Sequence, residues 1–230
     1  MRRAPSHCAL ILIVLVLSAS PALADSDCAA GSLSTVMGTT CNIGSLQFTF
    51  SDYTASSWTP SNFTLTPVSN GFTLSFDGGA QSITGPTSSI SYDYFELYYY
   101  VTDLTGVLTG ESVSGGELLT SGGTSIPPFA EYYGYTCPLG SDCETRIGAF
   151  ADSNGGPTSY AYGDPFSSGY AYAAPFSLEA GFGATASWDG TPTTFTYTST
   201  PVPEPGSLLL FATGLASLAG LVRQKIRGVL

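Results

Sequence analysis

The 230 residues, 43% hydrophobic and 13% aromatic, suffice for one packed domain plus targeting segments and exclude a chain disordered throughout. The net charge is −11, and sixteen of the 17 acidic residues lie between Asp25 and Thr200, where Arg146 is the lone base. Such a body repels a phosphate backbone, which excludes nucleic acid as a partner.

The chain opens with the layout of a secretory signal over residues 1–24: Arg2 and Arg3, an apolar stretch from Ala9 to Leu17, and Ala22-Leu23-Ala24 as a small-residue cleavage site. Mature protein is expected to begin at Asp25. Cys8 precedes the apolar stretch, so it is not placed for lipid modification. Cys28, Cys41, Cys137 and Cys143 then remain, an even number in an oxidising compartment, where disulfides are the default. Three pairings are open; Cys28–Cys41 and Cys137–Cys143 are favoured because short loops close at the lowest entropic cost. The alternative, a zinc site, lacks both a C-x-x-C pair and a histidine.

Residues 25–198 are expected to form one β-rich extracytoplasmic domain. Leu46, Phe48 and Phe50 alternate with polar residues, and Phe63 and Leu65 face Phe72, Leu74 and Phe76 across a hairpin turn at Asn70-Gly71. "SYDYFELYYYVT" is the strongest strand. Phe95, Leu97, Tyr99 and Val101 share its core face, and Tyr92, Tyr94, Glu96, Tyr98 and Tyr100 share the other. That tyrosine ladder is expected to pack under another strand, with an open ligand face as the alternative. Between Gly122 and Phe176 the alternation weakens and "YAYGDPFS" at Tyr160 is echoed by "YAYAAPFS" at Tyr170; this stretch is expected to be a long surface insertion, clipped by Cys137–Cys143, where a partner binds. Phe182, Ala184, Ala186 and Trp188 lead into Asp189-Gly190, with Phe195 and Tyr197 on the return strand. Short strands, Gly/Ser/Thr turns and no amphipathic helix predict an all-β fold, an antiparallel β-sandwich with a jelly-roll variant as the alternative.

Catalytic chemistry finds little material. The only histidine, His7, lies in the signal and the only lysine, Lys225, lies in the tail, which removes Ser-His-Asp, Cys-His, histidine-metal and Schiff-base chemistry from the body. The carboxylate pairs Asp93/Glu96, Glu111/Glu117 and Asp142/Glu144 are the remaining candidates for glycosidase work, but Asp93 and Glu96 would face opposite sides of a strand. "DSNGG" at Asp152 to Gly156 resembles the first half of a calcium loop without its later acidic ligands, and is expected to be a surface turn. No enzyme, no cofactor and no metal are expected, with calcium a weak alternative.

The C-terminus is organised differently. Residues 199–205 form a proline-rich linker in which Pro201, Pro203 and Pro205 exclude helix, Gly206 to Val222 is an uncharged run of 17 residues at the short limit of a membrane span, and residues 223–230 carry Arg223, Lys225 and Arg227. Cations behind a span stay on the cytoplasmic side, which puts the acidic body outside. Ala212, Ala216 and Gly220 fall on one helical face, a spacing common by chance in Ala/Gly-rich spans, with a docking face as the alternative.

"VPEPGS", a short apolar span and a basic end, in that order, resemble the PEP-CTERM sorting signal, also described as an ice-binding-protein C-terminal domain. The resemblance implies that Pro203, Glu204 and Pro205 are read by a membrane-embedded exosortase. An inner-membrane-anchored precursor with a periplasmic domain would then pass to the cell surface or extracellular matrix, often beside exopolysaccharide. "NGFTLSF" and "YFELYYYVTD" are also similar in order to the β domain of some PEP-CTERM proteins. The expected role is structural or adhesive within such a matrix. The alternative is recognition of carbohydrate through Tyr92, Tyr94, Tyr98 and Tyr100, or of ice, for which no extended threonine repeat is evident.

Overall fold

Two-residue alternation of apolar and polar side chains sets the architecture. The computed structural model describes residues 26–122, 128–140, 143, 146–153, 158–162 and 165–201. Its strands are β1 (Gly31–Ser32), β2 (Thr40–Ile43), β3 (Leu46–Ala55), β4 (Phe63–Val68), β5 (Gly71–Phe76), β6 (Gln81–Thr84), β7 (Ile90–Asp103), β8 (Gly106–Ser114), β9 (Leu118–Ser121), β10 (Phe129–Pro138), β11 (Arg146–Asp152), β12 (Thr158–Tyr162), β13 (Ser168–Gly181), β14 (Thr185–Trp188) and β15 (Thr193–Pro201). Helix among the described residues is confined to one turn, α1 (Leu33–Val36), and a 3-10 turn at Pro60–Asn62. No helix among these residues is long and apolar enough to cross a membrane. The expected signal, sorting motif, span Gly206–Val222 and tail cations all lie outside the described residues.

All the strand ladders are antiparallel. They form a seven-stranded sheet in the order β12-β11-β10-β13-β7-β3-β2, a five-stranded sheet β1-β4-β5-β15-β8 and a three-stranded sheet β6-β14-β9. The smaller sheets both pack on one face of the large one. Phe72 of β5 lies among Phe48, Phe50 and Tyr99 of the large sheet, with ring centroids 5.6, 5.6 and 5.3 Å away. Farther along, Phe63 of β4 meets Phe95 of β7 at 4.0 Å, and Trp188 of β14 stacks on Phe176 of β13 at 5.1 Å. Edge-on and offset aromatic contacts of this kind add to what burial alone contributes. The apolar face expected on β7 is the buried one: Phe95, Leu97, Tyr99 and Val101 are fully enclosed.

Both favoured disulfides are present, Cys28–Cys41 with Cα atoms 4.9 Å apart and Cys137–Cys143 with Cα atoms 5.0 Å apart. The β4–β5 turn is one residue earlier than expected. Its loop residues are Ser69 and Asn70, with Asn70 left-handed at φ 60°, while Gly71 already pairs with Val68. Gly71 is glycine for another reason: a Cβ there would collide with the backbone carbonyl of Phe195.

Three expectations are corrected. Residues 122–176 are no surface insertion, because β10, β11, β12 and most of β13 belong to the large sheet. Many of their inward positions are small, among them Ala130, Gly134, Ala149, Ala151, Ala171 and Ala173, with Tyr132, Ile147 and Phe176 too sparse between them to mark the alternation. The two "YAY" copies accordingly fall on different strands, edge β12 and interior β13. Asp189-Gly190 does not turn β14 back onto β15: β14 pairs with β6 and β9, whereas β15 lies between β5 and β8. Asp189 accepts hydrogen bonds from the backbone and hydroxyl of Thr191, and Gly190 takes φ 83°, which swings the chain into the other sheet. β15 also continues through Pro201, opposite Gly106, taking in residues expected in the linker.

Candidate functional site on the outer face of the large sheet

Because both small sheets cover the same face of the large one, its other face has no described element packed on it. The second strand expected over the tyrosine ladder is therefore not found among the described residues. Instead the tyrosines pack sideways on each other. Tyr135, Tyr172 and Tyr98 stand in direct cross-strand register on β10, β13 and β7, and Tyr170 is opposite Tyr100. Tyr135 stacks on Tyr172 at 4.5 Å, Tyr172 meets Tyr98 edge-on at 5.0 Å, and Tyr170 lies 5.1 Å from Tyr100. Cross-strand aromatic pairs of this type each contribute about 0.2–1 kcal/mol and hold the rings at fixed orientations.

One carboxylate organises the group. Glu96 accepts the hydroxyl of Tyr98 at one oxygen and that of Tyr133 at the other, the latter at 2.7 Å. It reaches Tyr133 across β13 where a register shift between Ala173 and Phe176 puts small residues beneath it. Burial, then the bond to Glu96, pushes Tyr98 up to about 12, and Tyr133 is raised for the same reasons. Tyr170 is pushed up to about 12 by burial and by the neighbouring Tyr172. These phenols stay protonated and remain donors. A shallow depression of about 260 Å³ lined by Glu131, Tyr133, Tyr135 and Phe150 adjoins the stack.

Of the four tyrosines expected as a glycan face, Tyr98 and Tyr100 belong to this stack. Tyr92, 57% exposed, and Tyr94 lie on the same face beyond it. Sequence reasoning missed Tyr133, Tyr135, Tyr170 and Tyr172, although "YYGY" and "YAYA" carry the same alternation as β7. Of the carboxylate pairs, Asp93/Glu96 and Glu111/Glu117 do not converge. Asp93 accepts hydrogen bonds from Trp58 and Ser56, away from Glu96, while Glu111 is buried and Glu117 exposed. Asp142 and Glu144, like 154–156 of the calcium-loop motif, lie outside the described residues. Among the described residues no three His, Cys, Asp or Glu side chains are arranged to hold a metal ion.

A second polar cluster sits between the layers. Thr136 donates to Glu111 at 3.1 Å and lies 3.0 Å from the Tyr197 hydroxyl, which in turn lies 2.5 Å from that of Tyr99. The second oxygen of Glu111, Oε1, has no hydrogen-bond partner, and it occupies the space that a side chain at Gly134 would fill. Burial pushes Glu111 up to about 8, so it is a neutral acid over most of the physiological range.

The other outer surface, that of the five-stranded sheet, bears hydroxyls. Ser114, Thr194, Thr73 and Thr66 stand in one cross-strand row over β8, β15, β5 and β4, and Thr73 bonds Thr194 at 2.8 Å. The threonine array not evident along the sequence is thus assembled across strands, with Thr194, Thr196 and Thr198 alternating along β15.

The fold and these two surfaces define a nearly all-β, disulfide-linked body. Residues 201–224 match the family described as the PEP-CTERM protein-sorting motif. The chain therefore carries the suspected sorting signal, which implies an exported protein, first associated with the membrane and then passed to the surface by an exosortase-type enzyme. No curated protein matches the chain.

Proposed function

We propose that this is a non-enzymatic surface protein that holds polysaccharide against the outer tyrosine face of its large sheet, in a structural or adhesive role within an exopolysaccharide matrix. The observation that carries this reading is the registered row Tyr135–Tyr172–Tyr98 on a face that no other described element covers. Flat rings with protonated hydroxyls suit sugars, whose C–H faces stack on aromatics while their hydroxyls take hydrogen bonds. The sorting motif supports the destination, and the scattered carboxylates support a binding role over hydrolysis.

The test is affinity electrophoresis of the full chain in mild detergent through gels containing soluble polysaccharides. Tyr172→Ala removes the central ring and is expected to abolish retardation while leaving the far-UV dichroism unchanged. Retardation equal to that of the unaltered protein would count against the tyrosine face.

The hydroxyl rows favour a second reading, recognition of ice by the five-stranded sheet. Strands repeat every 4.7–4.9 Å and same-face residues about 6.8 Å along a strand, giving a regular hydroxyl lattice with no charged residue in the row. Ice recrystallisation would then be slowed by the protein, and much less by Thr194→Lys. No slowing at any concentration would remove this reading.

A further inference from the structure

The tyrosine face carries an unbalanced charge pattern. Glu131 on β10 stands directly opposite Asp152 on β11, an arrangement that is destabilising for like charges in an antiparallel pair. Glu179 of β13 and Glu96 of β7 add to the field at Glu131. Burial first, then Asp152, Glu179 and Glu96, push Glu131 up to about 7. Arg146, the one base among the described residues, sits over the Tyr135 ring at 5.8 Å. The four carboxylates come from four adjacent strands and do not gather into a single-ion site. The depression bounded by Glu131, Tyr133, Tyr135 and Phe150 joins the charged region to the rings.

We infer that the polysaccharide taken by this face is cationic: a polymer of hexosamine units with free amino groups, its rings on Tyr135, Tyr172 and Tyr98 and its ammonium groups beside Glu131, Asp152, Glu179 and Glu96. This rests on the polysaccharide-binding reading above and specifies its ligand. A charge distributed over the face matches a polymer with one cation per repeat better than it matches a point ion. An anionic polysaccharide would be repelled. The aromatic row selects sugar over an oligolysine, whose side chains have no flat ring face to lay on the tyrosines.

The experiment compares a glucosamine hexamer, an N-acetylglucosamine hexamer and hexalysine by calorimetric titration into the full chain in mild detergent, at mildly acidic pH and low salt. The glucosamine hexamer is expected to bind about tenfold or more tightly than its acetylated counterpart, to weaken with salt and with Glu179→Gln, and to lose binding with Tyr172→Ala. Equal binding of the two sugar hexamers, both lost with Tyr172→Ala, would overturn the charge selection and leave the tyrosine-face reading standing. Binding of neither sugar would overturn the inference. Hexalysine binding as tightly as the amino sugar, unaffected by Tyr172→Ala, would also overturn it, because charge alone would then suffice.

Discussion

Glu111→Gln is expected to stabilise the protein at pH 8 by on the order of 4 kcal/mol and to leave it unchanged near pH 4. The carboxyl is 2% exposed, and burial raises it from an ordinary 4.5 to about 8. Below 4.5 it is protonated in both the folded and unfolded chain, and folding carries no ionisation penalty. Between 4.5 and about 8 the unfolded chain ionises while the folded one does not, so stability falls as pH rises. Glutamine keeps the shape and the acceptor for Thr136 without the charge and should flatten that part of the profile. Glu131, also pushed up, leaves a residual slope in the variant. Urea denaturation at a series of pH values measures this. Superimposed profiles for the two proteins would show that Glu111 ionises freely in the fold.

Phe72→Ala is expected to cost about 3–5 kcal/mol and to destabilise every sheet together. Phe72 is fully buried and its ring touches Phe48, Phe50, Tyr99 and Phe195, so truncation opens a cavity at the junction of the two layers. With Trp58, which packs on Phe76 of β5, replaced by Phe in both proteins, Trp188 reports from the three-stranded sheet and far-UV dichroism from all the strands. The two signals should shift by the same amount in urea. A fluorescence midpoint that stays in place while the dichroism moves would mean that the sheets do not share one core.

What the sequence disclosed and what it hid follow from side-chain size. On β3, β4, β5 and β7 the core positions are Phe, Leu, Tyr and Val, and the period of two announced both the strands and their buried faces. The two disulfides were legible because short loops favoured them. On β10, β11 and β13 the core positions are largely Ala and Gly, which leave room for the Tyr99–Tyr197–Thr136–Glu111 chain, and the same alternation passed for loop. Most of the candidate site went with it: Tyr98 and Tyr100 stood out on β7, but Tyr133, Tyr135, Tyr170 and Tyr172 needed those strands to be recognised first. The hydroxyl row was hidden for a different reason, since Ser114, Thr194, Thr73 and Thr66 become neighbours only through strand pairing. At Asp189-Gly190 a sound turn signal was present, but nothing local says which sheet the following strand will enter.

The central claim is that the outer tyrosine face is open and occupied by polysaccharide. Hydroxyl-radical footprinting of the full chain, with and without a polysaccharide that retards it, tests this at single residues. Tyr98, Tyr100, Tyr170 and Tyr172 should be modified in the free protein and protected in the complex, while Tyr99 and Tyr197, buried between the layers, stay unmodified in both. Unchanged modification of the outer four in the complex, or their lack of modification in the free protein, would contradict it.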